Sequence, residues 1–308
     1  MPKKGFILWL FTETPLHAGV GSGLGDIDLP LQRERTTGLP YIQASSVKGA
    51  LRAFLTQQGA DPLKVKALFG PDTEGAHEHA GALALSDARL LLFPVRSLAG
   101  VWAWITSPFL LSRLERDIKR FSSNSNNPIP DFPSSIDKPY VSSESEIILN
   151  AGEQKSNLIL EDMVYEIQRQ SIVEVIADKL KEALPEGSYW QSVLGKHLAI
   201  LPDEELQFFA EHATEVITRV RIDQETKTVQ EGALWTEELL PSETLLYVMG
   251  VVEDAHKSES DGGQRRYSAD ELYEFLKGYL GGSEGKCIQI GGDSTLGRGW
   301  CHLKLQEI

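Results

Sequence analysis

Residues 291–300 place four glycines in ten positions, between two apolar runs of strand length. Glycine tolerates positive φ and lets other groups approach the backbone closely, so this segment predicts a loop. No Gly-Lys-Ser/Thr follows it and no long helix begins there, so it is neither a P-loop nor a dinucleotide fingerprint. A wide hairpin between two strands is the plain interpretation. A backbone cradle for a ligand is the functional one.

Around this loop the chain alternates strand-like and helix-like segments. An apolar run at 5–12 leads through a long loop to a helix at about 46–58, with a serine N-cap and a stop at Gly59. The sequence also predicts strands at 82–92, 98–106, 245–252, 287–290 and 300–305, and helices at 108–120 and 268–279. This βαβ–βαβ alternation is typical of ferredoxin-like domains, and it predicts an α+β fold.

Two segments interrupt the alternation. Residues 122–135 consist mainly of Ser, Asn and Pro and predict no packed element. They open an insertion with a short strand near 157–167 and helices near 172–184 and 203–211. Two strand runs joined by a polar turn at 224–228 then predict a projecting hairpin.

Charge and cysteine content limit the class of protein. The 308 residues include 30 basic and 44 acidic side chains, a net charge of −14, and residues 203–254 alone carry 13 acidic against three basic. Nonspecific nucleic-acid affinity needs many cations, so we expect an assembly component and not a lone binder. Cys287 and Cys301 are too few for a disulfide framework, and the first apolar run is too short to span a membrane. We expect a cytoplasmic protein with no membrane partner.

Candidate anion-binding groups lie at the start of the first helix. Lys48 and Arg52 are spaced i,i+4 and share one helix face. Ser45 and Ser46 precede them at the N-terminus, where free N–H groups and the macrodipole favour an anion. A phosphate site is the functional interpretation, and an ordinary solvated face with a serine cap is the alternative.

Candidate catalytic groups lie in the preceding loop. Asp26 and Asp28 are two residues apart, and a carboxylate near RNA can help a 2′-hydroxyl attack its own phosphate, directly or by holding Mg²⁺. His17 is a candidate acid or base. Loop aspartates are more often turn formers, so a local role is the alternative. Trp235 in the hairpin could wedge against a base or anchor the hairpin to the core. His77-Glu78-His79 has no paired ligand set, and no zinc-type spacing occurs.

Four segments together resemble a known family. They are T-P-L-H-A-G at 14–19, G-D-I-D-L-P-L-Q-R-E-R-T-T-G-L-P at 25–40, S-S-V-K-G-A-L-R at 45–52 and G-G-D-S-T-L-G-R-G at 291–299. Their order and spacing resemble the RAMP superfamily of CRISPR proteins, and within it the repeated backbone subunits of type III-B (Cmr) effector complexes.

The resemblance implies an RRM/ferredoxin-like palm at 1–120 and 242–308, a lid insertion at 121–212 and a β-hairpin thumb at 213–241. It implies copies stacked along a guide CRISPR RNA, together with other Cmr-type subunits. The helix and the glycine-rich loop would hold the guide backbone without reading its sequence, through Ser45, Ser46, Lys48, Arg52, Gly292, Ser294, Thr295, Gly297 and Arg298.

The resemblance also implies cleavage of a complementary target RNA at regular intervals, where the thumb, with Trp235, interrupts the duplex. A loop aspartate and a divalent cation, Mg²⁺ or Mn²⁺, would carry the reaction. The matching acid and metal ligand is Asp28, with His17 at the family's histidine position and the share of Asp26 left open. A non-catalytic guide-holding subunit and a metal-independent guide-processing nuclease are the alternatives.

Overall fold

The structure, a computed structural model, describes residues 4–23, 25–71, 80–121, 130–150, 156–223, 225–255, 267–281 and 284–308. Within them the strands are β1 Lys4–Thr12, β2 Tyr41–Ile42, β3 Leu83–Leu85, β4 Ala88–Arg96, β5 Trp102–Thr106, β6 Tyr140–Val141, β7 Ile148–Asn150, β8 Ser156–Leu160, β9 Met163–Glu166, β10 Gln168–Arg169, β11 Leu198–Ile200, β12 Glu215–Ile222, β13 Val229–Leu239, β14 Leu245–Val252, β15 Lys286–Gln289 and β16 Trp300–Glu307. The helices are α1 Ala44–Gln57, α2 Pro62–Phe69, α3 Pro108–Phe121, α4 Ile172–Leu180, α5 Tyr189–His197, α6 Asp203–His212 and α7 Ala269–Leu280.

Four antiparallel strands form the centre of the main sheet, in the order β4-β14-β1-β16. The chain passes through α1 and α2 between β1 and β4, and through α7 between β14 and β16. This is the split βαβ arrangement expected from the sequence. The α+β prediction with an RRM-like palm is therefore confirmed.

Strand β1 is apolar along nearly its whole length because both of its faces are covered. Alternate residues belong to two separate cores. The first core lies under α1 and α7 and includes Phe6, Leu8, Leu10, Val47, Leu51, Leu272 and Leu276. The second lies under α3 and α4 and includes Ile7, Trp9, Phe11, Leu111, Leu114, Val173 and Ile176.

Part of the insertion extends the main sheet of the palm, and part of it forms a separate small sheet. β11 adds to β5 in parallel, β6 adds to β11, and β7, β8 and β9 form a small sheet of their own. Sequence patterns missed α2, α5 and β11, each of ten residues or fewer. Residues 130–139 contain neither helix nor strand, as their composition predicts, while 72–79 (with His77-Glu78-His79) and 122–129 lie outside the described residues.

The hairpin β12–β13 is a two-stranded sheet whose turn is closed by the Asp223 carboxylate, which accepts from the N–H groups of Glu225 and Thr226. One face carries several exposed apolar side chains, among them Leu234, which is 63% exposed. The predicted projecting hairpin is thus confirmed, while the domain boundaries at 121, 213 and 242 stay predictions. In the part of the chain that the structure describes, no helix is long and apolar enough to cross a membrane.

Candidate functional site

A groove of about 850 Å³ lies between the start of α1 and the loop that joins β15 to β16. Ser45 and Ser46 line it from the helix, Gly291 and Gly292 line it from the loop, and His17 lines its floor. Two segments almost 250 residues apart in sequence therefore meet at one cleft. We call this cleft, defined by these five residues, the guide groove, after the ligand that the sequence resemblance predicts for it.

The guide groove is nearly free of charge. None of the described residues that line it is Lys, Arg, Asp or Glu; its polar groups are hydroxyls, side-chain amides, backbone groups and His17. Trp300 lies at its edge with 46% of its surface exposed. Burial, with a hydrogen bond to Glu13, raises the pKa of the lining thiol Cys287 to about 12, so this thiol is not a nucleophile at neutral pH.

Lys48 and Arg52 lie on another side of α1 and do not line the guide groove. The Lys48 Nζ donates to the Leu83 carbonyl at 2.7 Å, and an Arg52 Nη donates to the Pro71 carbonyl at 3.2 Å. Burial, and then the neighbouring charge of Arg52, lowers the pKa of Lys48. The two cations thus face α2 and β3, and their contact with a guide RNA stays a prediction.

The predicted serine N-cap of α1 is wrong. The cap residue is Gln43, without a side-chain cap hydrogen bond. The Ala44 N–H instead donates to the Asp87 carboxylate at 2.8 Å, a partner brought in from the bend before β4. Ser45 and Ser46 are consequently exposed on the first turn, with their hydroxyls beside the groove.

The glycine-rich loop is folded back on the segment around His17. The Gly292 N–H donates to the His17 carbonyl at 2.9 Å, and Gly291 has a φ of +87°. A Cβ on Gly291 would lie 2.4 Å from the same carbonyl oxygen, so only glycine fits there. Ser294 and Thr295 begin a short 3₁₀ turn and are exposed.

The remaining loop residues point toward the hairpin. Gly297 ends the 3₁₀ turn in the left-handed region with a φ of +73°. Arg298 is half-buried, and its charge acts on Glu215 at the start of β12. The surface that this loop shares with α1 therefore extends to the root of the hairpin, where β12 and β13 leave the palm.

Asp28 is fixed to the root of the hairpin. One oxygen of its carboxylate, Oδ2, accepts from the Thr236 N–H at 2.8 Å and from the Thr236 hydroxyl at 3.0 Å. These hydrogen bonds, the backbone one first, lower the pKa of Asp28 below its ordinary value. Asp28 is exposed, so its other oxygen faces solvent. Asp26 is also exposed, and it makes no hydrogen bond with the described residues.

His17 is held on the same edge of β13. A ring nitrogen, Nδ1, lies 2.8 Å from the Glu238 carbonyl, which can only accept, so Nδ1 carries a proton and Nε2 is the acceptor of the neutral tautomer. Thr236 and Glu238 are two residues apart, which is about 7 Å along a strand. The structure thus brings the two predicted catalytic residues, His17 and Asp28, to one short stretch of β13.

A model of the RAMP superfamily matches residues 9–302. The chain belongs to the RAMP superfamily. It is 37% identical over 309 residues to the CRISPR system Cmr endoribonuclease Cmr4 of Pyrococcus furiosus, covering 99% of this chain and 97% of the relative.

Solved structures show the same fold. The crystal structure of oligomeric Cmr4 from Pyrococcus furiosus matches with a TM-score of 0.73 and 30% identity, over 99% of this chain and 98% of the other. A chain in the cryo-EM structure of the type III-B Cmr-beta complex bound to cognate target RNA matches with a TM-score of 0.74 and 23% identity, again over 99% and 98%. The likeness extends over the hairpin and the insertion as well as the palm.

The sequence patterns did not single out two consecutive acidic residues, Glu237 and Glu238. In the structure both are buried, with only 2% and 3% of their surfaces exposed. Glu238 accepts from the Leu31 N–H and from the Arg33 guanidinium, which ties the Asp28 loop to β13. Acids are almost never fully buried unless they are paired. Their position within an apolar strand run was the available signal, but it could not name their partners.

Trp235 lies in β13 near the root of the hairpin and not at its tip. It is half-buried, and the Arg219 guanidinium lies 5.6 Å from its ring centre. Anchoring by this cation–π contact is what the structure describes. Its action as a wedge against a base stays a prediction.

The described residues include no group of three or more His, Cys, Asp or Glu side chains placed to hold a metal ion. Asp28 still fits a divalent cation as a single-carboxylate ligand, since Oδ2 is engaged by Thr236 and the other oxygen faces solvent. Mg²⁺ is commonly held in this way, with water and substrate phosphates completing its shell.

Proposed function

We propose that this chain is the repeated backbone subunit of a type III-B CRISPR effector, which binds guide RNA without sequence preference and cleaves complementary target RNA at regular intervals. The single observation that carries the proposal is the joint attachment of Asp28 and His17 to the root of the hairpin, beside the guide groove. The groove and the reactive groups are thereby neighbours on one surface.

The chemistry of the guide groove suits a polyanion that the assembly, and not this chain, attracts. Its hydroxyls, backbone N–H groups and side-chain amides can bind phosphate and ribose oxygens without reading a base. The chain itself is strongly acidic, so the long-range attraction has to come from other Cmr-type subunits and neighbouring copies. Ser45, Ser46, Gly292, Ser294, Thr295 and Gly297 are the proposed guide contacts, with Lys48, Arg52 and Arg298 at the margins.

The proposed reaction is attack of a target 2′-hydroxyl on the adjacent phosphodiester. The O2′–P bond forms, the P–O5′ bond breaks, and the leaving O5′ takes up a proton. Asp28 is ionised at neutral pH, as an ordinary aspartate is, and Thr236 lowers its pKa further, so its carboxylate can orient the 2′-hydroxyl. His17, with Nδ1 turned to the Glu238 carbonyl, has Nε2 as the ring nitrogen that can accept the proton of that hydroxyl. A divalent cation on Asp28 would offset the charge that develops on the phosphate.

The closest rival is a subunit that holds guide RNA and leaves cleavage to another protein. The two are separated by Asp28→Asn and Asp26→Asn in complexes reconstituted on one guide. We expect Asp28→Asn to abolish the regular cuts in a labelled, guide-matched target RNA and Asp26→Asn to retain them. The length of guide RNA protected from nuclease should be the same in both complexes. Regular cutting by the Asp28→Asn complex would contradict the catalytic assignment and favour the structural role.

The need for a cation is tested separately. We expect chelation to stop cutting by the wild-type complex, and added Mg²⁺ or Mn²⁺ to restore it without changing guide protection; undiminished cutting in chelator would exclude the cation. The proposed location is the cytoplasm, because Cys287 and Cys301 are free thiols although their strands are paired.

A further inference from the structure

An ion network joins the hairpin to the glycine-rich loop. The Arg219 Nη1 in β12 lies 2.6 Å from the Glu237 carboxylate in β13 and 2.9 Å from the Asp293 carboxylate in the loop. One guanidinium therefore bridges both strands of the hairpin and the segment that lines the guide groove.

The network is sheltered enough to matter. The side chains of Arg219, Glu237 and Asp293 are 26%, 3% and 21% exposed, so solvent screens this network less than a surface ion pair. Burial opposes the charge of Asp293, but the Arg219 guanidinium, which donates to its carboxylate at 2.9 Å, lowers its pKa. Without the guanidinium, two carboxylates would face each other and repel.

The backbone at Asp293 strengthens the argument. Its φ is +55°, a left-handed conformation that non-glycine residues adopt uncommonly and that surrounding contacts have to hold in place. The ion pair with Arg219 is one such contact. The loop therefore depends on the hairpin for its shape.

The same network lies next to the reactive groups. Glu237 directly follows Thr236, whose N–H and hydroxyl hold Asp28. The Glu237 carboxylate also lies 3.7 Å from Nδ1 of His17. A rotation of the hairpin on its root would move Asp28 relative to the guide groove.

We propose that Arg219 is a positioning residue, which fixes the angle of the hairpin on the glycine-rich loop and so places Asp28 relative to RNA lying in the guide groove. This inference rests on the proposed function of Asp28. Arg219 itself need not touch RNA, since it acts through Glu237 and Asp293.

The test uses Arg219→Gln in the reconstituted complex, with Arg221→Gln as the matched control. Arg221 lies two residues further along β12, is exposed and makes no ion pair with the described residues. Because a misplacement of about 1 Å can cost about a hundredfold in rate, we expect single-turnover cutting to fall at least roughly tenfold in Arg219→Gln. Target affinity and protected guide length should stay within about twofold of wild type, and Arg221→Gln should match wild type.

Asp293→Asn provides a second variant that leaves the Arg219–Glu237 pair within the hairpin intact. We expect it to slow cutting in the same way, and Arg219→Lys to restore part of the rate. Cutting within about twofold of wild type in both Arg219→Gln and Asp293→Asn, beside an inactive Asp28→Asn, would overturn the inference. Loss of guide binding in step with the loss of cutting would overturn it too, as that marks a purely structural role. Retained cutting by Asp28→Asn would instead refute the proposed function.

Discussion

The buried carboxylate of Glu238 offers the sharpest test of how the Asp28 loop is attached to the hairpin. It accepts from the Leu31 N–H at 2.8 Å, the Arg33 guanidinium at 2.5 Å and the Thr214 hydroxyl at 2.7 Å. In Glu238→Gln one of the two oxygens becomes an NH₂ group, which faces donors and cannot accept from them. The charge that pairs with Arg33 is lost as well.

The magnitude follows from these contacts. A hydrogen bond to a charged group contributes about 1.5–3 kcal/mol, and removing one partner of a fully buried pair costs about 3–5 kcal/mol. Arg33 keeps its bonds to the Gly38 and Ala210 carbonyls and its side chain is 21% exposed, so the lower range applies. We expect Glu238→Gln to lower the free energy of unfolding by about 2 kcal/mol at pH 7.

Urea unfolding followed by tryptophan fluorescence measures this change, with the exposed turn variant Glu225→Gln as a control that stays within about 0.5 kcal/mol of wild type. The hydrogen bonds outweigh burial and lower the pKa of Glu238 below its ordinary value of 4.5. Its contribution is therefore complete above that value and is lost as the pH falls through the lowered pKa. A deficit below about 0.5 kcal/mol at pH 7, or one that does not narrow in acid, would refute the reasoning.

Three further outcomes follow from the site. Thr236→Val removes one hydrogen bond to the Asp28 carboxylate, so we expect the pKa of Asp28 to rise. The acid limb of the pH–rate profile of target cutting should then move to higher pH, and an unmoved limb would contradict the prediction. Gly291→Ala should lower the free energy of unfolding in urea by about 2 kcal/mol or more, because φ is +87° and the added Cβ is crowded. Gly292→Ala, whose Cβ would have its nearest neighbour at 3.6 Å, should lower it by less than about 0.5 kcal/mol, and equal losses in the two variants would contradict the prediction. Trp300→Ala should raise the dissociation constant for single-stranded RNA roughly tenfold. Trp300 lies at the edge of the guide groove, and stacking of a base on an aromatic side chain contributes about 1–3 kcal/mol.

The palm was predictable because its signals are local and strong. β1 is a continuous apolar run, and α1 carries a clear stripe with Gly59 at its end. The hairpin followed from two strand runs and a polar turn. Short elements such as α5 and β11 carry too few residues for a periodicity to emerge, and their packing decides them.

The site was harder because direction is a tertiary property. The i,i+4 spacing placed Lys48 and Arg52 on one face, but it could not say that this face meets α2 and β3. The face that opens on the groove carries Gly49 and Ala53, small residues that give no sequence signal. In the same way, Asp87 caps α1 from 43 residues away, a partner that no local pattern names.

The attachment of Asp28 to the base of the hairpin has a consequence for how such chains can diverge in sequence. Thr236 lies seven residues beyond the start of β13, so the turn at 223–228 is about 24 Å away along the strand. An exchanged tip, longer, shorter or of different charge, would leave the carboxylate where it is. Variation can therefore accumulate at the free end while the chemistry proposed for the base is inherited unchanged.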